Sequence, residues 1–493
     1  MGGRSEIKQG NQRSFIVSKE LRVGIIGCGF MGRAHSNAFL QLSRRRFLKT
    51  AVGASAALAA PVFIPGAALG MNGAVAASER ITLAGIGIRN RGSYVLGYMM
   101  DEPDVQFVAI ADVRKDRREA VKAMAEAQYG PGVAMYRDFR EMLPRKDIDA
   151  VLIATGDRWH ATASVMAAKA GKDVYSEKPC AITIAQAGAL ADAIRCCGRV
   201  FQAGTQRRNI ANFAYAAELA RSGKLGKLHT VHASIYALGE THDWFPAEPE
   251  PSKDVVDWDL WLGPAPWRPY NHRYVEGEWR GHYDFDSGAR LLDWGAHSVD
   301  LCQWANQADG TTPVEFEPAT SNTSGKNVVI VGRYANGVKL ILRESGWIGL
   351  GTLPVRFEGD EGWVETGDSG RIVVQPESLR RDQGIVTQGG ASHHLRRNWG
   401  PGVLPDYQDN CEIGGIGLAP WRHVRDFLDC VKSRAMPAAN ADVARKSHVA
   451  CHVAYISWLL GRKVIFDPAK EEFVGDDEAN RMRSRPLRDP WQI

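Results

Sequence analysis

None of the eight cysteines (Cys28, Cys180, Cys196, Cys197, Cys302, Cys411, Cys430 and Cys451) stands in a C-x-x-C pair. That absence excludes zinc ribbons and thioredoxin-like redox motifs and leaves buried free thiols as the plain reading. No stretch beyond residue 77 approaches 18 continuous apolar residues, so stable membrane insertion is not expected. His393-His394 has no acidic or cysteine partner at ligand spacing and reads as a solvated loop, so no metal site is expected. A strong excess of one charge is also missing. The 493-residue chain has a formal net charge of +5, but residues 1–77 hold ten Lys/Arg and two Asp/Glu, a net of +8. The remainder is therefore −3, which removes the electrostatic footprint of a nucleic-acid binder. At 44% hydrophobic and 24% charged, the composition is that of an ordinary globular protein, over a length that suits two domains.

What is present begins with Ser43-Arg44-Arg45-Arg46-Phe47-Leu48-Lys49, which reads as a twin-arginine export signal. A small-residue apolar run follows from Ala51 to about Leu69, broken by Pro61 and Pro65, and Ala74-Val75-Ala76 offers a cleavage site. Residues 1–77 are thus expected to be a leader, the mature chain to begin near Ala77, and the protein to be periplasmic or otherwise exported by the twin-arginine machinery. Such machinery carries folded proteins, so a nucleotide enzyme using it is expected to hold its cofactor tightly. Within the leader, Leu21–Gly32 is itself a strand followed by G-x-G-x-x-G (Gly27, Gly29, Gly32). No second strand with a terminal acid follows it, so it reads as a vestigial fragment.

A second copy has the missing context. Ile81–Ala84 reads as a strand ending in Gly85-Ile-Gly87-Ile88-Arg89-Asn90-Arg91-Gly92, and Val105–Ala111 as a second strand ending at Asp112. Strand and helix patterns then alternate to Ala203, predicting a doubly wound parallel sheet over residues 78–205. From about Gly226 the pattern changes. Leu228–Leu238 alternates as a strand; residues 240–290 are rich in Trp, Pro, Tyr and Asp and read as a functional loop. Val328–Tyr334 and Val338–Arg343 flank Asn336-Gly337, a strong hairpin turn. The fold class expected is α/β: a Rossmann domain, then an α+β domain over 206–493 with an open, mostly antiparallel sheet and amphipathic helices near Arg422–Lys432 and Val443–Leu460.

Three clusters carry chemistry. Gly85 and Gly87 allow a tight turn and a close approach of backbone to pyrophosphate, with a helix N-terminus supplying N–H groups. Asn90 stands where a third glycine is usual, and Asn tolerates left-handed backbone better than most residues. Asp112 would accept from ribose hydroxyls and repel a 2′-phosphate, which favours NAD over NADP, with Arg114 nearby as the opposing signal. Next, Ser176-Glu177-Lys178-Pro179 follows a predicted strand whose C-terminus faces the ligand crevice, where Lys178 can hold a substrate hydroxyl. Finally, Asp293 and His297 are four apart, on one face of a helix. There Asp293 is expected to orient His297 and favour its protonated form, with His297 as acid/base. Trp159, Trp244, Trp279 and Trp294 are stacking candidates for a sugar face, with core packing the plainer role.

These stretches, with Ala154–His160, Gly204–Arg207, Trp258–Pro264 and Phe473–Asn480, resemble the glucose–fructose oxidoreductase, inositol dehydrogenase and related (Gfo/Idh/MocA) family, in its exported branch. The resemblance implies bound NAD(P), a carbohydrate or polyol substrate, a homo-oligomer, and catalytic positions at Lys178, Asp293 and His297. It further implies a cofactor site drawn from Gly85, Gly87, Ile88, Arg89, Asn90, Asp112, Val113, Arg114, Thr155, Trp159, His160, Glu177, Lys178, Pro179 and Gln206. Asp286-Ser-Gly-Ala289 replaces a glycine run that relatives often carry before the catalytic helix. A glycosidase or lyase working through transient oxidation of a sugar carbon is the alternative chemistry, and retention of Glu-Lys-Pro leans toward the dehydrogenase.

Overall fold

The computed structural model describes residues 75–238, 243–288, 291–319, 327–344, 346–381 and 420–493. The first glycine fingerprint, the twin-arginine stretch and His393-His394 lie outside the described residues.

The N-terminal part is a six-stranded parallel sheet in the order β3-β2-β1-β4-β5-β6. Its strands are β1 (Ile81–Ile86), β2 (Val105–Ala111), β3 (Ala134–Tyr136), β4 (Ala150–Ile153), β5 (Asp173–Ser176) and β6 (Phe201–Ala203). The central strands are apolar and buried on both faces, as a sheet covered on both sides by helices demands. Because β1 lies between β2 and β4, the crevice above the ends of β1 and β4 is the switch point where ligands bind such sheets. Helices α1 (Arg91–Met100), α2 (Lys115–Tyr129), α3 (Phe139–Met142), α4 (Asp157–Lys169) and α5 (Ile184–Cys197) connect the strands.

After α6 (Ala211–Arg221) comes a nine-stranded sheet in the order β13-β12-β11-β7-β10-β9-β8-β14-β15. Here β7 (Leu228–Ile235) pairs in parallel with β10 (Lys339–Glu344), and the other pairings are antiparallel. The hairpin expected around Asn336-Gly337 joins β9 (Val329–Arg333) to β10, with Gly337 at φ 88°. The short helix α7 (Trp258–Leu262) and the longer α8 (Leu291–Ala305) precede β8 (Glu315–Pro318), β11 (Val355–Gly359) and β12 (Gly362–Thr366) form a second hairpin beside β7, and β13 (Ile372–Gln375), β14 (Val464–Asp467) and β15 (Glu472–Phe473) complete the sheet. One face is covered by α8 (Leu291–Ala305), which packs on β7, and by α10 (Ala441–Leu460), which packs on α8.

A helix from late in the sequence returns to the first sheet. In α9 (Trp421–Ser433), Val424, Phe427, Leu428 and Cys430 share one core with Leu83, Phe107 and Tyr175 of the Rossmann strands. Arg425 fixes the contact by bonding Glu102 (2.8 Å) and both carboxylate oxygens of Asp104 (2.8 and 3.0 Å).

Candidate active site

The glycine loop forms because β1 and β4 converge. A Cβ on Gly87, which has φ 67°, would stand 2.3 Å from Thr155 Cγ2. Asn90 sits at φ 32°, the positive-φ backbone its residue type tolerates, and precedes α1 directly. Gly87, Arg89 and Asn90 line a cleft of about 460 Å³ together with Asp112 and Arg114, the end expected to face the ribose, and with Thr155 and Lys178. Bare backbone beside free helix N–H groups fits a dinucleotide pyrophosphate.

The aromatic-rich segment singled out in the sequence closes this cleft. Val255 O accepts from Lys115 N, Asp257 N donates to Val113 O, and Arg114 forms a bridge with Val256. Farther along, Val275 O accepts from both Arg89 (2.7 Å) and Arg114 (3.2 Å). The segment is itself held by a core of Trp258, Trp261, Tyr274, Trp279 and Phe285. It therefore straps the ends of β1 and β2 together over the cleft.

At the ribose end, Asp112 Oδ1 accepts the Arg114 N–H (2.9 Å), and burial pushes its carboxyl up to about 6. The Arg114 guanidinium is already held by Asp116 (2.7 Å) and Glu276 (2.9 Å). Glu276 also takes Arg89 at 3.1 Å.

At the other end, Lys178 Nζ donates to Asp293 O (2.6 Å) and Asp293 Oδ1 (3.0 Å), while Arg280 approaches Asp293 Oδ2 at 3.4 Å. This changes the expected role of Asp293: its oxygens are engaged by Lys178 and Arg280. His297, one turn along α8, is buried, and its Nδ1 has no hydrogen-bond partner among the described residues. Burial, reinforced by the charges of Arg207, Lys178 and Arg91, pushes it well below the ordinary histidine range. The expectation that a carboxylate favours its protonated form is therefore overturned. His297 is held as the neutral imidazole, the form that accepts a proton.

Other expected site residues, His160, Glu177, Trp159 and Val113, line the cleft and most also carry structural contacts. His160 lies between Pro179 O (2.6 Å from Nδ1) and Thr155 O (3.1 Å from Nε2); burial lowers it to about 4, and the neutral ring donates to one of the two carbonyls. Glu177 holds Arg91 at 3.3 Å and lies so close to Gly204 that a Cβ there would stand 2.8 Å from its carboxyl carbon. Trp159 lines the cleft, but its ring is wedged edge-on against Phe139 and Trp491, and its Nε1 donates to Leu260 O. Val113 lines the cleft beside Arg114. Ile88, Pro179 and Gln206 are not on the cleft wall; Ile88 packs in the core beside Val95 and Leu96, and Gln206 is buried in the 3-10 turn after β6. Trp279 lines the cleft with Arg280 stacked 4.3 Å from its ring. Trp244 carries Arg268 on its face at 3.8 Å, and Trp294 packs on Tyr236.

Sequence reasoning assigned no role to Asp157 and Arg158. Both stand in the first turn of α4, line the cleft and are buried. Asp157 accepts from Ser287 Oγ (3.1 Å), and burial raises it to about 6. Their signal was available: two charged residues directly after Gly156, in a turn that follows a buried strand.

Two family models match this chain. One, described as the oxidoreductase family NAD-binding Rossmann fold, covers residues 80–205. The other, the oxidoreductase family C-terminal alpha/beta domain, covers residues 235–351 and 368–493. The chain belongs to the Gfo/Idh/MocA oxidoreductase family. Among its relatives, a glycosyl hydrolase family 109 protein of Saccharopolyspora erythraea is 32% identical over 175 residues, 32% of this chain and 37% of that protein. An inositol 2-dehydrogenase of Salmonella typhimurium is 30% identical over 133 residues, 27% of this chain and 38% of that protein. The chain thus spans well under half the length of these curated relatives. A solved structure, GenD2 from gentamicin A biosynthesis in complex with NAD, shares the fold with a TM-score of 0.52 at 21% identity, covering 79% of this chain and 97% of its own.

Proposed function

We propose that this Gfo/Idh/MocA protein is an exported NAD-dependent oxidoreductase that acts on a secondary hydroxyl of a sugar, glycoside or cyclitol and retains its cofactor. The observation that carries the reading is Lys178 on the cleft wall, bonded to Asp293, with neutral His297 one helical turn along from Asp293. NAD bound in the cleft supplies the hydride acceptor. Lys178, steadied by Asp293, holds the reacting oxygen, and neutral His297 takes its proton. The carboxylates of Asp112, Asp116 and Glu276 gather at the ribose end and already occupy Arg114, which supports NAD over NADP. The strap from residue 254 to 280 supports retention of the nucleotide. Inositol 2-dehydrogenase among the relatives supports a cyclitol or sugar substrate. Export rests on the leader, and N-terminal sequencing of exported protein is expected to begin near Ala77. A homo-oligomer built on the open face of the nine-stranded sheet completes the reading.

The test is to denature the purified protein, identify the released nucleotide, and then measure reduction of the bound NAD in the native protein with a panel of sugars and cyclitols. Absence of nucleotide together with absence of hydride transfer would refute the reading. A second reading, redox-neutral cleavage of a glycoside, is favoured by Asp157, a buried carboxyl raised to about 6 in the same cleft, and by the glycosyl hydrolase relative. Released aglycone without free ketone would decide for it.

A further inference from the structure

The most isolated charge in the cleft belongs to Arg158. Its residue is only 2% exposed. Nε and Nη2 both donate to Trp261 O (2.9 and 2.6 Å), and the guanidinium stacks 3.5 Å from the Trp261 ring, with Phe285 and Trp279 beyond. Nη1 is buried and has no hydrogen-bond partner among the described residues. No carboxylate among the described residues bonds this cation; Asp157 acts on it only through space, and burial lowers it to about 9. A buried donor left unmade is costly, more so on a charged group, so an arrangement like this calls for an anion that arrives later.

The position of Nη1 indicates which anion. A Cβ on Gly156 would stand 2.4 Å from it, so the guanidinium lies directly against the bare Gly156 backbone. Gly156 is the N-cap of α4, where no side chain caps the helix. Its neighbour Thr155 is the residue that a Cβ on Gly87 would strike. Two close approaches, Gly156 to Arg158 Nη1 and Gly87 to Thr155, thus link the guanidinium, the opening of α4 and the glycine loop of β1.

We propose that Arg158 and the first turn of α4 form an oxyanion subsite for the diphosphate of the dinucleotide, opposite the N-terminus of α1. The inference rests on the NAD-binding reading. Two helix N-termini then face the diphosphate, one on each side of the switch point, and a buried guanidinium supplies the fixed positive charge. A carboxylate on the substrate is the other source of such an anion, and the experiment separates the two.

The experiment compares wild type, Arg158→Met and Gly156→Ala, each freed of nucleotide on charcoal, by the rise in melting temperature with ADP-ribose, adenosine or glucuronate. For Arg158→Met, the melting temperature without ligand is expected to equal or exceed that of wild type, because an uncompensated buried charge has gone. Affinity for ADP-ribose is expected to fall about 10- to 100-fold, the usual weight of a charge-assisted hydrogen bond, and adenosine binding to stay unchanged. Gly156→Ala, which drives a methyl into Nη1, is expected to show the same selective loss and serves if the methionine variant does not fold. Equal losses for ADP-ribose and adenosine, or no loss, would overturn the proposal. So would a glucuronate-induced rise in wild type that vanishes in the variants while ADP-ribose binding persists. If wild type binds neither ADP-ribose nor NAD, the NAD-binding reading fails instead.

Discussion

Lys178 and Asp293 are joined twice across 115 residues of chain, through the side chain and through the backbone carbonyl of Asp293. The ammonium comes from the end of a Rossmann strand, the carboxylate from the first turn of a helix on the second sheet. Neither sheet supplies the pair alone. Asp293 is thus a positioning residue for Lys178.

Lys178→Ala and His297→Ala are both expected to cut single-turnover reduction of bound NAD by about 10²–10⁴-fold. Both should leave nucleotide content largely unchanged, because the nucleotide is proposed to sit mainly on the Gly85–Gly92 loop and Asp112. Near-normal reduction in either variant, followed by absorbance of the reduced nicotinamide, would show that these are the wrong residues. Asp293→Asn is expected to raise KM as well as lower kcat, since the lysine then loses its anchor.

Asp112→Ala is expected to relax preference for NAD over NADP. The carboxylate that faces the ribose goes, while Arg114 stays held by Asp116 and Glu276, so the gain for NADP should be modest. Isothermal titration with each nucleotide checks this. A preference for NADP in wild type would remove Asp112 as selector.

Acid should unfold the protein from the histidine side. Six described histidines (His160, His232, His297, His423, His448 and His452) are pushed below their ordinary value by burial. Each stays neutral in the fold but takes a proton in the unfolded chain below about 6.5. Unfolded protein then binds more protons, so stability falls as pH drops, by about 1.4 kcal/mol per pH unit for each such histidine. Asp112, Asp157 and Asp300 act in the opposite direction: raised by burial, the first two to about 6, they favour the fold as pH falls toward 3.8. Six against three gives net acid destabilisation, beginning near pH 6.5, which calorimetry across pH 7.5 to 5 would register. A melting temperature that stays flat over that range would contradict it.

Gly263→Ala is expected to cost roughly 2–5 kcal/mol, combining left-handed backbone with overpacking. Gly263 sits at φ 55°, and its Cβ would stand 2.1 Å from Cε2 of the Trp159 indole. Because Trp159 also lines the cleft, nucleotide affinity should fall along with the chemical denaturation midpoint. A variant as stable as wild type would mean that the indole can move aside.

The strands with clear apolar runs, the Asn336-Gly337 hairpin and the glycine loop were legible because each is set by nearby residues. The short strands β3, β8 and β14 were not, since three or four residues carry little period. Asp293 and His297 were correctly placed on one helix face, but their spacing says nothing about what another element brings to that face. Lys178 and Arg280 claimed the carboxylate, and cations surrounded the imidazole. Arg158 was hidden for the same reason: its isolation depends on Trp261, 103 residues away.

The return of α9 to the Rossmann sheet makes the order of synthesis matter. Val424, Phe427 and Leu428 complete a core whose other walls are made more than 200 residues earlier. A ribosome that has released only the first 400 residues has therefore produced a nucleotide half with an open apolar side. Long-range closure of this kind is slow. Capture of the dinucleotide is expected to follow termination rather than accompany elongation, and a nascent chain stalled before Trp421 should be one that chaperones hold.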